Sequence, residues 1–160
     1  MTIFKQITFA ALLFLGTHFA SQVQAQDAKV GDIVIHQPWI RLSPGSSMAS
    51  GYAALENAGK ADDTLLSVKV DGVPDSQLHE MKMEGEVMKM NEIPGGLKLP
   101  AGATVQIWPK SSYHVMLMGM TKPFKVGDKV KGTFTFATAG KVDVQFEVMA
   151  PGSMPGMKMN

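Results

Sequence analysis

Along the chain, apolar and polar residues alternate with a period of two, and Gly, Pro, Asp and Asn interrupt the alternation at short intervals. Lys141–Met149 is the clearest case: Val142, Val144, Phe146 and Val148 fall on one face, with Asp143, Gln145 and Glu147 on the other. That is the geometry of a half-buried strand. The same habit, with Val, Ile, Thr, Phe and Tyr enriched, predicts strands at Asp32–His36, Gly51–Glu56, Thr64–Val70, Gln77–Met83, Val87–Asn91, Thr104–Trp108, Tyr113–Met118, Lys129–Thr135 and Lys141–Met149. No stretch beyond the first 25 residues has a helical period, so the fold class is all-β, a sandwich or a barrel.

Turn chemistry fits these divisions. Glu84-Gly85 separates two Met-bearing strands as a tight hairpin would, and Pro94-Gly-Gly96, Pro100-Ala-Gly102 and Val126-Gly-Asp128 read as loops. Two further segments lie outside the β pattern. Residues 1–25 carry one charge, Lys5, then an apolar run from Ile7 to Phe19 and a small-residue exit at Val23-Gln24-Ala25, the order of a cleaved secretory signal peptide. The apolar run is shorter than the ~20 residues needed to span a bilayer. Residues 26–150 are then one β-sandwich domain, and 151–160, with two Pro-Gly pairs, a flexible Met-rich tail.

Removal of the leader leaves 14 Lys and Arg against 14 Asp and Glu, so nothing steers the exported domain toward nucleic acid or an anionic membrane. With no cysteine, an exported chain must be stabilised by its core rather than by disulfides. No nucleophile with its base, no paired acids in a recognisable setting and no phosphate-cradling Gly loop appears, so an enzyme is not expected.

The chemistry lies in thirteen methionines, seven of them between Met81 and Met120 and four in the last dozen residues. Alternation places His79, Met81 and Met83 on one face of a strand, Met88 and Met90 on one face of the next, and His114, Met116, Met118 and Met120 on one face of a third. Residues i and i+2 of a strand lie about 6.5–7 Å apart, close enough for an imidazole and a thioether to converge on one ion. Any one of these methionines is by itself more often a core filler. Yet two of the three histidines beyond the leader stand in Met-bearing strands, while Leu, Ile and Val pack the others. Thioether with imidazole and no thiolate suits Cu(I). It argues against Ca²⁺ and Mg²⁺, which take oxygen, against the Cys-rich sites of zinc, and against a blue-copper centre.

The segments Leu78-His-Glu-Met-Lys-Met-Glu-Gly-Glu-Val-Met-Lys-Met90, Leu99-Pro-Ala-Gly102 and Tyr113-His-Val-Met-Leu-Met-Gly119, together with Pro38-Trp-Ile-Arg41 and Ser50–Asn57, resemble the PCu(A)C family of periplasmic copper chaperones. The family pattern is His, ten residues, Met, a longer gap, then His-x-Met. On this sequence the resemblance implies His79, Met90, His114 and Met116 as the Cu(I) ligands. The gap between Met90 and His114 is 23 residues, two longer than the family's, and the extra residues belong in Asn91–Leu97 and the Pro109–Ser112 turn. The resemblance further implies a cupredoxin-like Greek-key β-sandwich with copper near the surface at one end, in the periplasm. It also implies delivery to the copper centres of cytochrome c oxidase, together with a Sco-type thiol protein. A monomer is the expected state.

Met154, Met157 and Met159 in the tail are candidates for a second, weaker copper site, Cu(I) or Cu(II), or for a transfer arm, against a free end whose methionines do nothing. His36 matches no part of the ligand pattern and reads as a satisfied or surface histidine, with an auxiliary Cu(II) role as the alternative; Trp39 and Trp108 read as core or rim aromatics. Two other function classes compete with delivery. One is copper sequestration for tolerance, and the other a metal-free β-sandwich whose methionines only pack.

Overall fold

The computed structural model of the chain describes residues 27–155. Among these the protein is all-β, with eleven strands: β1 (Ala28–Val30), β2 (Ile33–Leu42), β3 (Ala49–Asn57), β4 (Asp63–Val70), β5 (Asp75–Glu84), β6 (Val87–Glu92), β7 (Leu97–Leu99), β8 (Thr104–Ile107), β9 (Tyr113–Met118), β10 (Lys129–Phe136) and β11 (Lys141–Met149). Hydrogen bonds run along the order β6-β5-β9-β3-β2-β11-β10-β4-β7, with β1 on β2 and β8 on β3. Every pairing is antiparallel except β11 with β2, so the sheet is mixed.

The path folds into two layers because one hydrophobic cluster takes residues from both of its ends. Leu78 of β5 and Val115 and Leu117 of β9 pack in the same cluster as Leu65 of β4, Leu97 and Leu99 of β7, and Phe134 and Phe146 of β10 and β11. Phe146 stacks on Phe134, with ring centroids 5.8 Å apart. Close approach is secured at Gly132 in β10, where an added Cβ would lie 2.6 Å from the Phe146 ring and 2.7 Å from the Lys69 carbonyl oxygen. Two buried polar side chains tie the loops at one end. Asn57 donates its amide to the carbonyls of Ala61 and Leu99, each at 2.9 Å. The Asp63 carboxylate accepts from the backbone N–H groups of Thr64, Thr138 and Ala139 at 2.7–2.9 Å.

Most predicted strands form within a residue or two of their expected ends, and three features differ. The Ala28–Val30 and Leu97–Leu99 strands, three residues each, are too short to show an alternation of their own. The first long strand does not end at His36 but continues through Pro38 to Leu42. It does so by a bulge: His36 pairs with Ala54 but Trp39 pairs with Tyr52, so three steps on β2 oppose two on β3. Gln37 adopts φ 46° there, and Pro38, which has no N–H to give, is tolerated where the ladder is interrupted. The third difference is Met120. Gly119 turns the chain with φ 71°, strand alternation stops at Met118, and Met120 packs in the core instead of sharing the face of His114.

The bulge matters for function. A one-residue slip moves every later side chain to the opposite face of a sheet. Ile33 and Ile35 before it and Ile40 after it all reach the core cluster, while Trp39 and Arg41 are turned to the other side. On that side Trp39 stacks on Tyr52, centroids 4.5 Å apart, and meets Trp108 edge-on at 5.6 Å.

Candidate metal centre

Three strands carry the soft donors and stand side by side, with β5 between β6 and β9. Register decides which donors meet. His79 of β5 lies directly across from His114 of β9, and Gln77 across from Met116. On the other side of β5, Met81 faces Met90 and Met83 faces Met88. The strand faces read from alternation for β5, β6 and β9 are thus kept, and they merge into one surface pointing away from the core.

An open cleft of about 410 Å³ lies on this surface, and its lining includes Met81, Met90, His114, Met116, Arg41 and Trp108. Three of the four residues implied by the family pattern therefore share one cleft. The fourth, His79, adjoins it through His114, their ring centroids 5.4 Å apart at 70°. His114 is 7 % exposed, whereas Met90 is 58 % exposed, so the cleft has a buried nitrogen floor and a thioether at its mouth.

The two imidazoles are prepared differently. His79 Nε2 lies 2.9 Å from Gln77 Oε1, and since an amide oxygen can only accept, Nε2 donates. In the neutral ring Nδ1 then carries the lone pair, and it is buried with no hydrogen-bond partner. Leaving such an atom unsatisfied costs about 1–3 kcal/mol, and a soft cation is one partner that would satisfy it. Around His114, burial disfavours the charged ring, and the neighbouring His79 and Arg41 add to this, so its pKa lies below the ordinary 6.5. Burial and the neighbouring groups thus favour the neutral His114 ring, which is the form that ligates a metal.

Arg41 and Tyr52 are residues the sequence reading passed over. The Arg41 guanidinium donates to the Tyr52 hydroxyl at 2.6 Å and lies over the same ring, 5.1 Å from its centroid. Their only sequence signal was membership of the Pro38–Arg41 and Ser50–Asn57 segments, and finding their position requires the β2 bulge. Trp108 proves to be a rim residue of the cleft, and Trp39, 1 % exposed, to be buried behind it. Lys110, beside Trp108 in the β8–β9 connection, holds φ 74° and also reaches the rim.

The other candidates lie elsewhere. His36 sits between two carboxylates, Nδ1 2.7 Å from Asp27 and Nε2 3.0 Å from Glu56, so it is a satisfied histidine with both ring nitrogens engaged. Among the described residues no three of His, Asp or Glu gather into a group that could hold a metal. Met154 is half-buried, just past Ser153, whose N–H bonds the Ala150 carbonyl at 3.1 Å. Met157 and Met159, and the expected leader at residues 1–25, lie outside the described residues.

An all-β sandwich with a cleft of imidazole and thioether on the outside of one layer defines a cupredoxin-like domain with a soft-donor site. Residues 33–148 match the family described as "Putative lipoprotein LpqE-like", and the chain belongs to this family of PCu(A)C domains. The "Putative lipoprotein Lxx21020" of Leifsonia xyli subsp. xyli is 26 % identical over 137 residues, 83 % of this chain and 81 % of that protein. The copper-bound PCuAC domain from PmoF2 superposes with a TM-score of 0.66 at 28 % identity, over 79 % of this chain and 99 % of that one. The Cu(I)-bound solution structure of DR1885 from Deinococcus radiodurans shares the fold, with a TM-score of 0.58 at 24 % identity over 81 % and 83 % of the two chains.

Proposed function

We propose that this protein is an exported copper chaperone that carries Cu(I) on His79, Met90, His114 and Met116. The observation that carries the reading is the convergence of Met90, His114 and Met116 on one open cleft, with His79 directly across the strands from His114. Kinship supports it, since a PCuAC domain of the same fold is copper-bound, and the leader-like first 25 residues support export to the periplasm.

The donor set also favours delivery over storage. Thioethers and imidazoles hold Cu(I) less tightly than thiolates do, and this chain has no thiolate of its own. Stepwise ligand exchange to a cysteine-bearing acceptor is therefore downhill, and the open cleft lets an acceptor sulfur reach the ion before the last thioether leaves. The recipient in this reading is a copper-site protein, a cytochrome c oxidase subunit or a Sco-type thiol protein.

Titration of the mature protein with Cu(I) against a colour-forming competitor tests the reading, using wild type, His114→Ala and a chain ending at Ala150. One tight equivalent in wild type, lost in His114→Ala and kept in the truncated chain, is expected. Equal, weak binding by wild type and His114→Ala would leave only the packing role for these methionines. Mixing the loaded protein with a Cys-x-x-Cys thiol peptide then separates delivery, in which the peptide takes the metal, from sequestration, in which it does not.

A further inference from the structure

The ligand pattern leaves three methionines of the β5–β6 hairpin unused, and two of them are the most exposed methionines in the described residues: Met83 is 60 % and Met88 61 % exposed. They are also paired. Met83 lies across from Met88, one two-residue step beyond the Met81–Met90 pair, which is itself one step beyond His79.

The hydrogen-bond phase of the hairpin brings these sulfurs as close as strands allow. Gly85 and Glu86 form a two-residue turn, with Gly85 at φ 66° as a type II′ turn requires at its first position. In such a hairpin the flanking pair, Glu84 and Val87, exchanges hydrogen bonds, so Met83–Met88 and Met81–Met90 fall at the alternate positions without them. The Met81 N–H confirms the phase, because it points away from β6 and donates to the Ser112 carbonyl at 2.7 Å. Pairs without hydrogen bonds have Cα atoms about 4.5 Å apart and their side chains closest. The opposite face of the same hairpin carries the ion pairs Lys82–Glu80 and Lys89–Glu84. Solubility is thus met on one face, while the other leaves thioethers in water with no core to fill.

We propose that Met83 and Met88 form an outer Cu(I) site, the point at which the ion enters and leaves, connected through Met81–Met90 to the inner cleft. This rests on the inner site being a Cu(I) site and adds a route to it. Each step forms one Cu–S or Cu–N bond as another breaks. The metal stays Cu(I), no electron moves, and no proton is released as the ion passes between thioethers, which do not titrate. Two thioethers alone bind more weakly than the mixed inner set, so the outer site is occupied only transiently.

The test is the double variant Met83→Leu/Met88→Leu, which keeps apolar bulk on an exposed hairpin and leaves the core untouched. Cu(I) uptake from a colour-forming chelate is followed by stopped flow, and equilibrium affinity by competition. The expected result is uptake slowed about tenfold, a barrier change of about 1.4 kcal/mol, with equilibrium affinity within twofold of wild type. A second measurement stands apart from the inner site: in His79→Ala/His114→Ala protein labelled with ¹³C at the methionine methyls, one equivalent of Ag(I), a d¹⁰ stand-in for Cu(I), should shift the Met83 and Met88 signals. Unchanged uptake or unmoved methyl signals overturns the outer site while leaving the inner one intact. A loss of equilibrium affinity as large as that of His114→Ala overturns it too, by making the pair part of a single site. Wild type that binds no Cu(I) defeats the inner-site reading instead, and the methyl shifts still decide on the pair.

Discussion

Arg41 places a positive charge in a cleft proposed to hold a positive ion, and neutralising it should strengthen metal binding. Arg41 pairs across β3 with Ser50, and Ser50 pairs with Met116 of β9, so the Arg41 backbone is two strand spacings, about 10 Å, from that of Met116, which sets the scale for the separation of charge and ion. At that distance two unit charges repel by about 1.7 kcal/mol at an effective dielectric of 20 and about 0.4 kcal/mol in bulk water. The cleft is open, so the effect falls between these limits, and Arg41→Gln should tighten Cu(I) binding by roughly two- to twentyfold. The same substitution should raise the His114 pKa toward its ordinary value, since Arg41 is one of the groups holding it down, after burial and His79. Arg41→Lys keeps the charge and should change neither quantity much. Competition titration reads the affinity, and imidazole NMR on the metal-free protein reads the titration. Weaker Cu(I) binding in Arg41→Gln, or equal changes in Gln and Lys variants, would refute the electrostatic argument and recast Arg41 as a packing or ligand-orienting residue. A chaperone has a use for this repulsion: it weakens the hold on the metal without removing a ligand, and so favours release.

Other outcomes follow from the same geometry. In the metal-free protein, imidazole NMR should find His36 titrating above 6.5, because its hydrogen bonds to Glu56 and Asp27 favour the charged ring, and His114 below it. Their contributions to stability then oppose each other: that of His36 is complete below pH 6.5 and is lost as pH rises through its folded pKa, while that of His114 is present above pH 6.5 and is lost as pH falls through its own. Asp63→Ala should lower stability by about 3 kcal/mol in urea unfolding, since three backbone N–H groups lose their acceptor. Burial raises the Asp63 pKa, but the bonds from Thr138, Ala139 and Thr64 outweigh it and leave the net value low. Its share of stability is therefore present above pH 3.8 and lost as pH falls through the folded pKa; an acid limb identical in wild type and Asp63→Asn would contradict this. Gly132→Ala should cost about 1–3 kcal/mol in the same assay, because the new methyl meets both a ring packed in the core and a backbone carbonyl.

The strand pattern and the shared donor face were legible because both rest on period-two alternation, which is local. Lys141–Met149 and Tyr113–Met118 form with the bounds that alternation predicts. Alternation cannot supply register. That His79 meets His114 rather than Met116, and that Met81 rather than His79 faces Met90, depends on hairpin and loop lengths that no single strand reveals. Met120 escaped for a related reason: Gly119 at φ 71° ends the alternation without a break in the Met-x-Met spacing, so a residue in step with the pattern belongs to the core.

The β2 bulge shows most clearly why the rest was hidden. Read as an uninterrupted strand, Ile33, Ile35, Gln37, Trp39 and Arg41 would share one face, and a core strand ending in Gln, Trp and Arg makes no sense. Alternation alone therefore predicts a strand that ends at His36. One extra residue at Gln37-Pro38 resolves the conflict by changing which face is buried halfway along the strand. Its first half belongs to the core, and its second half supplies Trp39 behind the cleft and Arg41 within it. A local break in strand periodicity is thus what joins the scaffold to the site. Deleting Gln37 would remove the extra residue and leave Ile40 core-facing with Trp39 and Arg41 on the cleft side, whereas closing the bulge with Gln37 kept would turn Trp39 and Arg41 to the core, so the bulge ties the stability of the fold to the charge in the cleft.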